Sequence, residues 1–62
     1  MQRIVRKTLG TDADGQKVYA EIWLLGKGKA EYVETSDSCV YQRNILTKDA
    51  YLQKINELLA CP

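Results

Sequence analysis

Five side chains of this 62-residue sequence have the chemistry of recognition: Arg6, Trp23, Tyr32, Tyr41 and Arg43. Flat rings supply large contact area, and guanidinium groups supply charge with several donors. The residues that would do covalent or acid–base chemistry are scarce. There is no histidine, so no side chain has an ordinary pKa near neutrality. Cys39 and Cys61 would each need a neighbouring base or a helix N-terminus to become thiolates, and Cys61 falls at the opposite end of its helix. Glu21 and Glu34 could form a carboxylate pair, but a domain this small has little room for the cleft such a pair needs. The expectation is a non-enzymatic chain with no catalytic residue and no cofactor.

Metal and phosphate sites are weighed in the same way. Asp12, Asp14, Gly15 and Glu21 match positions three, five, six and twelve of a calcium-binding loop, but Gly10 stands at the first ligand position and a strand pattern follows where a helix should open. An ordinary hairpin turn accounts for the segment. Gly26-Lys27-Gly28-Lys29 lacks the longer glycine frame and following helix of a phosphate loop, so it also reads as a turn. Two cysteines without histidine make a poor zinc site, and without a secretory leader they are expected to be reduced. No metal is expected.

Nine basic and eight acidic residues leave a net charge of +1, so no long-range field draws the chain onto nucleic acid or an anionic membrane. The apolar run at 22–25 is too short to cross a bilayer, and a cytoplasmic location is the default. A hydrophobic fraction of 45% with 27% charged residues is ordinary for a folded domain. Residues 1–62 are read as a single small α+β domain.

The elements that must position the five side chains follow from periodicity. Along 17–25, Val18, Ala20, Ile22 and Leu24 occupy one parity, while Lys17, Tyr19, Glu21, Trp23 and Leu25 occupy the other, as in a strand with one face toward a core. Residues 3–9, 30–35 and 39–43 read as further strands, separated by Asp14-Gly15, Lys27-Gly28 and Ser36-Asp37 as tight turns. Thr47 suits a helix N-cap with Asp49 behind it, and Tyr51, Leu52, Ile55, Leu58 and Leu59 make an apolar stripe ending near Pro62. The fold class is therefore α+β: an antiparallel three- to four-stranded β-meander with one C-terminal α-helix packed on one face.

Two-residue turns set a register. Ile22 then faces Val33 and Val40 on the core side, joined by Val5 and Leu9. Arg6, Trp23, Tyr32 and Tyr41 form a row on the other side, with Arg43 two residues along and Glu21 opposed to Glu34. A one-residue slip would send a strand's whole set to the opposite face. An aromatic and arginine-rich sheet face suits a protein partner or self-association as a homodimer. The alternative is nucleic-acid binding by the same face with Arg3 and Lys7, the rings stacking on bases and the cations holding phosphates. In outline, strands followed by one helix resemble the arm-site DNA-binding domains of tyrosine-type recombinases, an architectural likeness that implies a sheet-face DNA contact. Aromatic cross-strand pairs also stabilise exposed sheets without any partner, by about 0.2–1 kcal/mol each.

Overall fold

The computed structural model describes residues 2–60. Met1, Cys61 and Pro62 lie outside them, and with them the expectations for Cys61 pairing and for Pro62 as the helix stop. Four strands, β1 (Gln2–Thr11), β2 (Lys17–Gly26), β3 (Lys29–Thr35) and β4 (Val40–Thr47), form one antiparallel sheet in the order β1-β2-β3-β4, and α1 (Lys48–Ala60) follows. This is the meander with a C-terminal helix that the periodicity implied.

The alternation of β2 sets the layers. Ala20 and Ile22 are fully buried and form the core with Ala30, Tyr32 and Leu58, while Val5, Leu24, Leu46, Tyr51 and Ile55 pack around them. Helix α1 supplies Tyr51, Ile55 and Leu58, at steps of four and three, so these three share one stripe. The stripe is narrower than expected, since Leu52 is 45% and Leu59 72% exposed. Thr47 directly precedes the helix, and Asp49 lies in its first turn at the positive end of the dipole.

Lys27 and Gly28 form the two-residue turn as expected, with φ of 54° and 73°. Two consecutive positive φ values match the twist of a tight hairpin. The register nevertheless slips by one residue, because Gly26 pairs with Lys29 whereas Leu24 pairs with Ala30, leaving Leu25 as a bulge. Ile22 therefore faces Tyr32 instead of Val33, and Trp23 faces Glu31. Tyr32 moves to the core face and Val33 to the outer one, which overturns the expected placement of both.

The other two turns are longer than two residues. Residues 12–16 connect β1 to β2, and the Asp12 Oδ1 accepts the N–H groups of Asp14 (2.9 Å) and Gln16 (3.0 Å), so a side chain does the work of a backbone turn. Bulges at Ile4 and Leu9 shift β1 further, and Leu9 is 47% exposed instead of joining the core. Between β3 and β4 the connection spans 36–39, with Ser36 N–H donating to the Cys39 carbonyl at 2.8 Å. Val33 accordingly faces Arg43, and Tyr41 sits in the irregularity between the Thr35–Val40 and Glu34–Gln42 pairs.

Candidate functional site

The sheet face opposite α1 carries three cross-strand rows. Arg6, Glu21, Val33 and Arg43 form the central one; Arg3, Trp23, Glu31 and Ile45 flank it on one side, and Thr8, Tyr19, Thr35 and Val40 on the other. Glu21 is the hub. Its residue is only 8% exposed, and its carboxylate accepts the Trp23 indole N–H at 3.0 Å while Arg3 and Arg6 lie at 3.4 and 3.2 Å. A carboxylate so nearly buried needs partners for its charge, and three donors converge on it. The same guanidinium groups lie over rings, Arg6 at 3.8 Å from the Tyr19 centroid and Arg3 at 5.9 Å from the Trp23 centroid. The indole is thus held by a hydrogen bond and a cation.

Beside this network lies an open depression of about 340 Å³, lined by Glu21, Trp23, Glu31, Val33, Thr35, Val40 and Arg43. Val33 is 6% exposed and Val40 46%, so the apolar wall at Val40 is accessible. Among the described residues, neither Glu31 nor Arg43 makes an ion pair. One unpaired acid and one unpaired base therefore stand at an apolar groove.

Of the residues expected on this face, the structure brings together Arg6, Trp23 and Arg43, and Arg3 joins them. Tyr32 does not belong. It is 5% exposed on the core face, its hydroxyl donates to Glu34 at 2.7 Å, and the Lys54 ammonium lies 4.8 Å from its ring centroid. Burial first, and the Glu34 hydrogen bond second, push its phenol well above the usual range. Glu34 faces Ala20 and Gln42, so it does not oppose Glu21, which faces Val33. Lys7 lies on the helix side, where it faces Ala20 and its ammonium donates to the Leu58 carbonyl at 2.8 Å. It does not share a face with Arg3.

Tyr41, 51% exposed, bonds to the first loop instead: its hydroxyl donates to Asp12 Oδ2 at 2.7 Å. That bond, the largest cause in each case, lowers the Asp12 pKa and raises that of Tyr41. Ser38 Oγ ties the 36–39 connection to the first loop by donating to Gln16 Oε1. Both Asp12 carboxylate oxygens are occupied, and no group of three or more His, Cys, Asp or Glu among the described residues is placed to hold a metal.

The groove-lining residues Val33, Val40 and Glu31 escaped sequence reasoning because each depends on register. The one usable signal was Gly26 directly before the Lys27-Gly28 turn, since a glycine there can carry a bulge. Tyr19 was legible by parity with Trp23.

Fold and site together define a two-layer α+β domain with one sheet face left uncovered by its helix. No family model, curated protein or solved structure matches the chain. No described helix is long and apolar enough to cross a membrane.

Proposed function

We propose that the chain is a non-enzymatic binding module whose uncovered sheet face takes a protein partner. The observation that carries this reading is the groove walled by Trp23 and Val40, floored by Val33, and bordered by the unpaired Glu31 and Arg43. It fits an apolar side chain flanked by one acidic and one basic residue. Aromatic and arginine anchors around an apolar centre are what dominate protein interfaces.

The cations weigh against the nucleic-acid alternative. Arg3 and Arg6 already pair with Glu21, Lys7 lies behind the sheet, and Glu31 offsets Arg43. A phosphate backbone would meet the unpaired guanidinium group of Arg43 beside an unpaired carboxylate, with Lys17 and Lys29 only at opposite ends of the face.

The test uses Trp23→Ala and Arg43→Glu, with circular dichroism confirming that each variant folds. A partner captured by the wild-type chain and then purified should bind both variants at least about tenfold more weakly, the loss expected for interface hot spots. Tight binding of single- or double-stranded oligonucleotides at about 50 mM salt, quenching Trp23 fluorescence, would instead establish the nucleic-acid alternative.

A further inference from the structure

The two edges of the sheet are built differently. β1 is interrupted by bulges at Ile4 and Leu9 and carries Arg3, Arg6 and Lys7, the features that keep an edge from pairing. β4 runs without a register shift from Gln42 to Thr47, is exposed at every position except Leu46, and carries the single charge of Arg43. Its outward backbone groups form an open template.

We propose that β4 pairs antiparallel with β4 of a second copy, centred on Asn44, to make a continuous eight-stranded sheet. A two-fold axis normal to the sheet keeps each face on its own side, so only residues of like parity can oppose. That leaves few registers. Centring on Arg43 opposes it to its own copy, and centring on Ile45 puts it in the row of Lys29, which faces Thr47; both bring like charges together. Centring on Gln42 sets Arg43 against the bulged Tyr41 and shortens the overlap.

Centring on Asn44 does neither. Arg43 then faces Ile45 of the second copy, which sits beside Glu31 of that copy. The cross-strand row reads Val33, Arg43, Ile45, Glu31, with the last two contributed by the other chain. Arg43 and Glu31 are two strand spacings apart, about 10 Å between backbones, a span their side chains can close over Ile45. Each lacks an ion-pair partner among the described residues of its own chain, and Ile45 is 58% exposed. The two-fold axis makes the ion pair reciprocal, and Asn44 meets its own amide. Edge pairing leaves Trp23 and the groove floor outside the contact but engages Arg43 and Glu31 at the groove's border, so Trp23→Ala, which touches the groove alone, separates a failure of this pairing from a failure of the groove reading.

Sedimentation equilibrium on the full chain, up to about millimolar concentration, tests the pairing together with cysteine cross-linking. Arg43→Glu and Glu31→Arg should each raise the dimer dissociation constant about tenfold, and the double exchange should return it to within about threefold of wild type. In a Cys39→Ser, Cys61→Ser background, Asn44→Cys should cross-link to a covalent dimer on mild oxidation, because directly paired strand residues lie within disulfide range; Ile45→Cys should not. A wild-type chain that stays monomeric throughout overturns the proposal. So does a dimer that ignores both charge reversals yet dissociates on Trp23→Ala, since that dimer is built on the sheet face.

Discussion

Replacing Glu21 with glutamine keeps the shape of the side chain and an oxygen for the Trp23 indole, and removes the charge on which Arg3 and Arg6 converge. Both arginine side chains are about two-fifths exposed, at 42% and 41%, so each ion pair is discounted by solvent to about 0.5 kcal/mol. The indole hydrogen bond passes from an ionised to a neutral acceptor and loses about another 0.5 kcal/mol. Glu21→Gln should therefore destabilise the fold by about 1.5 kcal/mol. Glu21→Ala, which also strands the indole N–H, should cost about 2.5 kcal/mol. Against a total stability of roughly 3–9 kcal/mol for a chain of this size, the glutamine variant should melt about 6–12 °C lower. Urea titration followed by Trp23 fluorescence measures the difference directly. Repeating it at about 1 M salt, where the screening length falls to about 3 Å, should shrink the gap by roughly half. If Glu21→Gln differs from wild type by less than about 0.3 kcal/mol at low salt, the carboxylate is not the organiser of this face.

Further outcomes follow from the same geometry. Tyr32 and Tyr41 have raised pKa values in the folded chain, so their contribution is complete below the ordinary tyrosine value near 10 and is lost as pH rises beyond it. The urea midpoint should fall above about pH 10, and less steeply in Tyr32→Phe, which itself should lose about 1–2 kcal/mol by removing the donor to Glu34. Asp12 has a lowered pKa, so its contribution is present above the ordinary aspartate value near 3.9 and fades as pH falls through the folded value; Tyr41→Phe should flatten that acid limb. Lys27 holds a φ of 54°, a region that asparagine or glycine enters at less strain, and Lys27→Asn should raise stability by about 0.5 kcal/mol in thermal melts.

The strands, the helix and the inward parity of β2 were legible in residue order because they depend on neighbours within a few positions. Val18, Ala20, Ile22 and Leu24 alternate whatever lies beside them, and Lys27-Gly28 favours its turn without help from afar. That placed Trp23 on the outer face; Arg6 and Arg43 also lie there, but opposite Glu21 and Val33 and not in the register that two-residue turns implied. The partners across the sheet were another matter. The bulge at Leu25 exchanged the faces of Tyr32 and Val33, since strand side chains repeat every two residues and one extra residue inverts them all. The carboxylate of Glu21, which in sequence was expected to stand opposite Glu34, acquired its role only when β1 brought Arg3 and Arg6 beside it. Local alternation chooses an element and its apolar side. Bulges and long-range pairing choose neighbours, because their energies belong to contacts between strands and not to any one stretch of chain.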